Sequence, residues 1–379
     1  MKVGCVTEIK KHEYRVGLTP ANVAAYRRNG HEVYVQAGLG AGSSFPDAEY
    51  LAAGAIVLDK AGEVWRESEL LVKVKEPLED EYPFLRDGLM LYTYLHLAAD
   101  AALARAMLDS GVTGIAYETL TDGKGGLPLL TPMSEVAGRL SVLEGAKCLE
   151  RPFGGRGVLL PGVPGVARAK VVIIGGGVVG WNAAKMALGF GARVAVLDVN
   201  LDRLRHFDDI FGMRIQTLYS DESSIRRELV DADLVIGAVL IPGKSAPKLI
   251  KREYLRDMMP GSVIVDVAID QGGCSECSRP TYHDDPTFVV DGVVNYCVAN
   301  MPGGTPRTST VALTNATLRY GLLIADHDLE AACRADAGVK NAVNIHKGKC
   351  THENVAVSLN LPFVPLDGIV TPVRRERDA

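Results

Sequence analysis

Residues 170–180 read Lys170-Val-Val-Ile-Ile-Gly175-Gly176-Gly177-Val178-Val179-Gly180, an apolar run followed by glycines. The apolar run predicts a buried strand, and the glycines predict a sharp turn into a helix. In such a turn Gly175 permits the change of direction, Gly177 lets a ligand approach the backbone, and Gly180 lets helix and strand pack closely. The segment is therefore a GxGxxG motif in the context that binds the pyrophosphate of a dinucleotide.

A second predicted strand, Arg193–Leu197, ends at Asp198, which lies 18 residues beyond Gly180. In dinucleotide-binding folds a carboxylate near this position accepts the ribose 2′-hydroxyl, and the helix after the glycines directs its N–H groups at the phosphates. We expect NAD rather than NADP, because the Asp198 carboxylate would repel a 2′-phosphate. Arg203 and Arg205 weaken this preference unless they lie on a solvated helix surface. The alternative is a glycine-rich turn that binds no ligand.

The composition is that of a globular protein with more than one domain. The chain has 379 residues, and a domain usually has about 100–200, so two domains are expected. Hydrophobic residues make up 47% and charged residues 23%, which argues against disorder. The net charge of −5 argues against a nucleic-acid partner, which usually requires a basic patch.

The N-terminal stretch MKVGCVTEIKKHE has no apolar run of the kind found in a signal peptide. No apolar stretch reaches the roughly 18 residues of a membrane span. The seven cysteines are an odd number in a large chain, which favours reduced thiols and a cytoplasmic protein without a membrane partner. Cys274 and Cys277 form one CxxC pair, but no further zinc ligands at suitable spacing are evident.

Short apolar runs alternate with helical patterns in two series, which predicts βαβ units and parallel sheets. The first series of strands is expected at Lys2–Val6, Glu32–Gln36, Leu70–Val74, Leu89–Leu95 and Gly114–Tyr117, with helices at Pro20–Arg28 and Asp47–Ala53. The second follows a helix at Ser134–Leu149 and is expected at Lys170–Ile174, Arg193–Leu197, Leu234–Val239, Ser262–Val267 and Phe288–Val290.

The chain after residue 300 begins with a loop and then has a helical pattern from about Val311 to Leu329, with no new strand series. This tail is too short for a third domain, so we expect it to return to the first. The predicted fold is α/β, with two Rossmann-like doubly wound parallel-sheet domains. Residues 1–130 and 308–379 would form a discontinuous substrate domain, and residues 131–307 the NAD-binding domain.

Polar residues follow several predicted strands, where ligands of open parallel sheets bind. Arg15 lies in the loop after the first strand, Lys75 and His96 directly follow two others, and Glu118 follows a fourth. Asp270 follows the strand Ser262–Val267 in the second domain and would face the same crevice if the domains close edge to edge.

These residue types suit a small carboxylate substrate. Arg15 offers a bidentate fork and Lys75 a compact charge, both of which bind carboxylates. His96 has an intrinsic pKa near 6.5, so it can exchange a proton near neutral pH. Asp270 would orient a water or stabilise a developing cation. Taken singly, each of the four also fits a merely structural position, such as a strand cap, a surface histidine or a loop charge.

Several longer segments occur in the order found in one family of enzymes. The sequence resembles the bacterial alanine dehydrogenases along nearly its whole length, through KKHEYRVGLTP (10–20), VKVKEPL (72–78), YTYLHLAA (92–99), GGGVVGWNAAKMALGFGA (175–192), AVLIPGKSAPKLI (238–250), VDVAIDQGGC (265–274) and YCVANMPGGTPRTSTVALTNATL (296–318). The resemblance implies NAD-dependent, reversible oxidative deamination of L-alanine to pyruvate and ammonium.

The resemblance also implies roles for individual residues. Arg15 and Lys75 would bind the substrate, and His96 and Asp270 would be catalytic. A magnesium ion is implied at Glu118 and His327, and the assembly would be a homohexamer. The NAD contacts that the resemblance implies are Ser134, Val179, Asp198, Arg203, Ser220, Val239, Leu240, Val298 and Met301. The further cofactor candidates are the motif glycines Gly175, Gly177 and Gly180, together with Val267 and Ile269.

Three other classes of protein share part of this pattern. The nucleotide-binding subunit of proton-translocating transhydrogenase looks similar in both domains, and saccharopine-type dehydrogenases also pair a lysine with a histidine. A non-catalytic NAD sensor would need only the glycine loop. The combination of Lys75, His96 and Asp270 favours an amino acid substrate over the transhydrogenase reaction, and the other two classes stay open as alternatives.

Overall fold

The computed structural model describes residues 1–239 and 246–366. It divides into two compact units. The first comprises Met1–Pro132 and the chain from Thr305 onward, and the second is Met133–Gly304. Each unit is built on its own sheet.

The described strands and helices are labelled in chain order. The strands are β1 Lys2–Cys5, β2 Glu32–Gln36, β3 Ile56–Leu58, β4 Leu70–Val72, β5 Met90–Thr93, β6 Thr113–Ala116, β7 Lys170–Ile174, β8 Arg193–Asp198, β9 Ile215–Tyr219, β10 Leu234–Gly237, β11 Val263–Asp266, β12 Thr287–Val290, β13 Val293–Tyr296, β14 Val343–His346 and β15 Lys349–Cys350. The helices are α1 Pro20–Arg28, α2 Asp47–Ala52, α3 Ala61–Glu67, α4 Ala101–Ser110, α5 Thr131–Cys148, α6 Val178–Gly189, α7 Leu201–Phe211, α8 Glu222–Leu229, α9 Arg252–Leu255, α10 Pro306–Ala335, α11 Ala337–Ala342 and α12 Glu353–Leu359.

The sheet of the first unit has the order β15-β14-β6-β5-β4-β1-β2-β3. The six strands from β6 to β3 are parallel, and β14 and β15 are antiparallel to their neighbours. The strand order reverses direction between β1 and β4, which makes the crevice at their carboxyl ends the expected ligand position of this unit.

The sheet of the second unit has the order β9-β8-β7-β10-β11-β13-β12, and β12 alone among these seven strands pairs antiparallel. Its order reverses between β7 and β10, directly beside the glycine loop that follows β7. Both units therefore have a doubly wound sheet, and the predicted fold class is confirmed.

The strands are buried because helices cover both faces of such sheets. All four residues of β10, β11 and β13 are buried, and so are Val172 and Ile174 of β7. Each fully buried Val, Leu or Ile contributes about 1.5–3 kcal/mol relative to an exposed one, so these runs stabilise the core of the second unit.

Several sequence predictions differ from the structure at their ends. Helix α1 and strand β2 have the predicted bounds, and Thr19 caps α1 through a reciprocal pair of hydrogen bonds with Asn22. Strands β4 and β5 are shorter than predicted, by two residues at the carboxyl end in each case. The prediction that no strands follow residue 300 was wrong, since β14 and β15 extend the first sheet at its edge.

Helix α10 is longer than the predicted helix and is interrupted at Asp328, whose φ of 64° and ψ of 169° are not helical. In the part of the chain that the structure describes, every helix is too short or too polar to span a bilayer. The seven cysteines are free thiols, six of them buried and Cys277 half-buried.

Candidate active site

The carboxyl ends of β1, β4, β5 and β6 lie at one edge of the first sheet because these strands are parallel. The segments that leave this edge carry Arg15, Lys75, His96 and Glu118, respectively. The topology therefore brings the four strand-end residues of the first domain to one edge.

Arg15 is 2% exposed and is paired with Glu13 two residues earlier. Its Nε donates to Glu13 Oε1 at 2.7 Å and its Nη2 to Glu13 Oε2 at 2.5 Å, which fixes the plane of the guanidinium. Burial alone would lower the pKa of Arg15, but the Glu13 carboxylate raises it above its usual value. The Glu13 carboxylate thus stabilises the charged form of Arg15.

Lys75 is placed by a buried carboxylate that belongs to the loop after β1. Glu8 Oε1 accepts the Val74 N–H at 2.6 Å and the Lys75 N–H at 3.3 Å. Strand β4 ends at Val72 and not at the predicted Val74; the Lys73 N–H still donates to the Tyr92 carbonyl at 3.1 Å, and Glu8 binds the next two N–H groups. On its other side the backbone carbonyl of Lys75 accepts from Thr93 Oγ1 at 2.9 Å.

Lys73, two residues before Lys75, pairs with the same Glu8 carboxylate. Its side chain is fully buried, and its Nζ lies 3.0 Å from Glu8 Oε2 and 2.8 Å from Glu81 Oε1. Burial would lower the pKa of Lys73, but the two carboxylates outweigh it and raise that pKa above its usual value. A buried charge of this kind is stable only when paired, so the triad holds Glu8 where it supports Lys75.

His96 is exposed and is held by the carboxylate of Glu118. Glu118 Oε1 accepts the His96 N–H at 2.6 Å, and both of its oxygens lie 3.2 Å from the Leu95 N–H. His96 has a left-handed backbone with φ 50°, a conformation that costs about 1–3 kcal/mol unless the surroundings enforce it. Its ring lies parallel to that of Tyr94, with the centroids 5.8 Å apart. Glu118 therefore ends β5 before His96 and presents the imidazole at the sheet edge.

The magnesium expectation finds no support at Glu118 and His327. Both Glu118 oxygens accept backbone N–H groups, and His327 is an exposed residue next to the interruption of α10 at Asp328. Residues 1–239 and 246–366 contain no group of three or more His, Cys, Asp or Glu side chains arranged to hold a metal ion. The described residues at these two positions therefore do not fit a magnesium ion.

A further carboxylate, Glu76, was not anticipated from the sequence. It is 9% exposed, forms an ion pair with Lys10, and has one oxygen, Oε2, without a hydrogen-bond partner among the described residues. Burial would raise the pKa of Glu76, but Lys10 lowers it, and Lys75 and His96 add smaller effects in the same direction. A negatively charged carboxylate therefore lies near Lys75 and His96.

The glycine loop of the second unit has open backbone where a phosphate would lie. Gly175 has a φ of 103°, and a Cβ added to Gly180 would lie 1.8 Å from the Gly175 carbonyl oxygen. A Cβ on Gly177 would meet only the Arg203 guanidinium, at 3.8 Å. Gly177 precedes the 12-residue helix α6, whose first N–H groups have no side-chain cap from it. The loop therefore fits a dinucleotide pyrophosphate.

Asp198 ends β8, adjacent to β7, and is 6% exposed. Its Oδ2 accepts the Gly176 N–H at 2.6 Å and its Oδ1 the Asn200 N–H at 2.7 Å, which couples the carboxylate to the glycine loop. Each carboxylate oxygen can accept a second hydrogen bond, so a ribose hydroxyl can still bind. The Arg203 guanidinium lies 3.6 Å from Asp198 Oδ2.

The other cofactor candidates of the second unit lie after strands of the same sheet or on a helix next to the loop. Ser220 follows β9, and its N–H donates to the Asp198 carbonyl at 3.1 Å. Ser134 is in α5, one turn before Gly138, where a Cβ would lie 2.3 Å from the Val179 carbonyl oxygen. Leu240 lies outside the described residues. The rest are Val239 after β10, Val267 and Ile269 after β11, and Val298 and Met301 after β13.

Asp270 lies in a short 3₁₀ turn, Val267–Gln271, that follows β11. Its side chain is exposed, and no described residue forms a hydrogen bond with it. The turn itself is anchored by Asp266, which is fully buried and accepts from the Ala268 and Ser275 N–H groups, each at 3.1 Å. Asp270 is therefore an accessible carboxylate on a fixed backbone.

The sequence reasoning missed the buried charges that support the candidates, namely Glu8, Glu13, Lys73 and Glu76. A usable signal was present, because EIKKHEYR (8–15) and KVKE (73–76) place both charge signs in segments that flank predicted buried strands. Charges at such positions are rarely tolerated unless they are paired.

Two family models together match most of this chain. The N-terminal domain model of alanine dehydrogenase/PNT matches residues 4–137, and the C-terminal domain model of the same family matches residues 141–353. An alanine dehydrogenase of Mycolicibacterium smegmatis is 55% identical over 96% of this chain and 98% of its own length.

Solved structures show the same relationship. One L-alanine dehydrogenase matches with a TM-score of 0.92 and 48% identity, over 95% of this chain and 99% of that structure. A transhydrogenase from Sinorhizobium meliloti matches with a TM-score of 0.81 and 25% identity, over 92% of this chain and 100% of that structure.

Proposed function

This chain belongs to the alanine dehydrogenase/PNT family, and we propose that it is an L-alanine dehydrogenase that interconverts L-alanine and NAD with pyruvate, ammonium and NADH. The observation that carries this proposal is the sheet edge that presents a fixed, exposed His96 together with Lys75 and Arg15. A proton-transfer group beside two cations suits a substrate with a carboxylate and an ionisable nitrogen.

Arg15 and Lys75 are the proposed substrate-binding residues. Glu13 accepts from Nε and Nη2 of Arg15 and holds the guanidinium in one plane, which fixes its positive charge where it would attract a substrate carboxylate. Lys75 supplies a second positive charge, whose backbone is held by Glu8 and Thr93. Fixed positions matter because misplacement by about 1 Å can cost a hundredfold in rate.

The bound cofactor would accept the hydride from Cα of alanine, which leaves a substrate iminium. The proposed role of His96 is then to accept a proton from water as the water oxygen bonds to the iminium carbon. His96 then gives that proton to the amine nitrogen. The C–N bond breaks as the carbonyl forms, and the departing ammonia takes up the hydroxyl proton and leaves as ammonium. A histidine suits both transfers because its pKa lies near neutral pH.

Asp270 is the second proposed catalytic residue. A carboxylate stabilises the positive charge of the iminium electrostatically, provided its own position does not change during the reaction. The anchored turn after β11 meets that requirement. The second unit would hold NAD through the glycine loop, with Asp198 on the ribose hydroxyls, and we further propose a homohexameric assembly.

The experiment that tests this function supplies the purified protein with L-alanine and NAD and records NADH formation at 340 nm. We expect NADH to form from NAD and little NADPH to form from NADP. Asp198→Ala should weaken NAD use and relax the discrimination against NADP, because the repulsion of the 2′-phosphate is lost. Wild-type protein that uses both cofactors equally would contradict the role of Asp198.

The same preparation separates the alternative function. A transhydrogenase subunit would pass hydride between two nucleotides and form no NADH from alanine. Absence of alanine-dependent NADH formation would overturn the proposed function, and light scattering on the same sample tests the hexamer.

A further inference from the structure

The turn that carries Asp270 is held from outside its own strand by one lysine side chain. Lys248 Nζ lies 2.5 Å from the Gly272 carbonyl oxygen, 2.9 Å from that of Gly273 and 3.0 Å from that of Ser275. An ammonium group has three N–H donors, and here three carbonyl acceptors match them. We propose that Lys248 is a positioning residue for Asp270, an assignment that rests on the proposed function.

The local backbone explains why a cation is needed there. Gly272 and Gly273 have φ values of 88° and 77°, so two successive left-handed residues turn the chain sharply after Asp270. The carbonyl oxygens of this turn converge on one point, and their dipoles repel one another unless a positive charge lies between them. The Lys248 ammonium supplies that charge through charge-assisted hydrogen bonds, which are stronger than neutral ones.

Asp266 binds N–H groups of the same turn, whereas Lys248 binds its carbonyl groups. Its buried carboxylate accepts from the Ala268 and Ser275 N–H groups and from the Ser278 hydroxyl. The backbone around Asp270 is therefore fixed by a carboxylate on its N–H groups and an ammonium on its carbonyl groups. Loss of either charge would release one side of the turn.

The segment that carries Lys248 is itself bonded along the turn. The N–H groups of Leu249 and Ile250 donate to the Cys274 carbonyl at 2.8 and 3.0 Å, and the Ala246 N–H donates to the Gln271 carbonyl at 3.0 Å. The Glu276 N–H returns a bond to the Ile250 carbonyl at 2.9 Å. These main-chain bonds remain when the lysine side chain is replaced, so its substitution removes the ammonium without detaching the segment.

The test compares wild-type full-length enzyme with Lys248→Met, Asp270→Ala and Lys251→Met. Lys251→Met is the matched control, because Lys251 is three residues away and its ammonium pairs with Glu222 on the surface. We would measure kcat and KM for L-alanine and NAD, and hydrogen exchange of the amides of residues 272–276. The described hydrogen bonds of Gly272, Gly273 and Ser275 make their amides reporters of the turn.

Lys248→Met should raise the exchange of these amides and lower kcat about tenfold to a hundredfold, the scale expected for a displaced catalytic group, with KM for NAD within about twofold. Asp270→Ala should lower kcat without faster exchange, and Lys251→Met should change neither. Wild-type turnover in Lys248→Met, or lost turnover with unchanged exchange, would overturn the assignment.

Two further outcomes are kept apart by the design. If wild-type protein forms no NADH from alanine, the proposed function fails, while the exchange data still decide whether Lys248 anchors the turn. If Lys248→Met does not fold, Lys248→Gln replaces it. Its shorter amide can reach fewer of the three carbonyls, so it should show the same two effects to a smaller extent.

Discussion

The two sheets of this molecule have the same strand order at their centres, yet they present different chemistry at their carboxyl edges. In the first unit, β1 leads to a loop with Glu8, Glu13 and Arg15, and side chains occupy the edge. In the second unit, β7 leads to Gly175, Gly177 and the open start of α6, so the backbone itself faces the edge.

Carboxylates accept N–H groups beyond strand ends in both units, and the difference lies in what is left to meet a ligand. In the first unit internal carboxylates accept them, Glu8 after β4 and Glu118 after β5, and the side chains of Lys75 and His96 remain to meet a substrate. In the second unit, glycines leave the start of α6 uncovered for an anion. Strand order therefore determines where a ligand binds, and the loops determine which ligand it is.

The largest expected effect is on the side chains that would carry the chemistry at the two edges. His96→Ala and Asp270→Ala should each lower kcat about a hundredfold or more, the usual scale for a proton-transfer group, while the proteins fold and bind NADH. Turnover, melting temperature and NADH binding are measured on both. A well-folded His96→Ala enzyme with near wild-type turnover would contradict the mechanism.

A glycine pair in α6 tests the backbone chemistry of the second edge. A Cβ at position 180 would lie 1.8 Å from the Gly175 carbonyl oxygen, whereas at position 189 it would meet nothing within 4 Å. Gly180→Ala should weaken NAD binding at least tenfold and destabilise the protein by about 1–3 kcal/mol. Gly189→Ala should leave NAD affinity unchanged. Equal NAD affinities in the two variants, measured by calorimetry, would contradict the close-packing argument.

Arg15 tests whether the first edge binds through side chains. Arg15→Ala should raise KM for pyruvate about tenfold to a hundredfold with little change in NADH binding, because a charge-assisted contact is worth about 1.5–3 kcal/mol. The variant also leaves the buried Glu13 unpaired, so Arg15→Lys is measured beside it and should give an intermediate KM. An unchanged KM for pyruvate in both variants would remove Arg15 from the substrate site.

The smallest effect concerns the antiparallel edge of the first sheet, where β14 pairs with β6. His346 of β14 is 6% exposed, its Nδ1 lies 2.9 Å from Thr113 Oγ1, and burial lowers its pKa below the usual 6.5. The native state thus favours the neutral ring, so its contribution to stability is complete above pH 6.5 and is lost as the pH falls toward the lowered pKa. In denaturant titrations between about pH 5 and 7, His346→Gln should depend less steeply on pH than wild type. Parallel curves would show that His346 is not responsible.

Much of the fold was accessible from local sequence patterns. Alternating apolar runs and helical segments predicted two doubly wound domains, and α1 starts at the predicted Pro20, where Thr19 provides a local cap. The ends of β4 and β5 were placed too late, and the N–H groups of Val74 and His96 beyond these ends bond to carboxylates distant in sequence, 66 and 22 residues away. The edge strands β14 and β15 were missed because they are short and form only by pairing in the sheet, β14 with β6 and β15 with β14.

The sequence by itself determined which residue types lie at each edge: Arg15, Lys75 and His96 after strands of the first sheet, and the glycines after β7 and Asp270 after β11 in the second. These properties belong to single residues and their spacing along the chain. Only the tertiary structure decided how those residues are held, through the Glu13 fork on Arg15, the Glu8–Lys73–Glu81 triad below Lys75, the Glu118 carboxylate behind His96 and the Lys248 ammonium on the Asp270 turn. Electrostatic pairing depends on distance in space, and most of these partners are far apart in sequence, so their pairing becomes defined only when the sheets form.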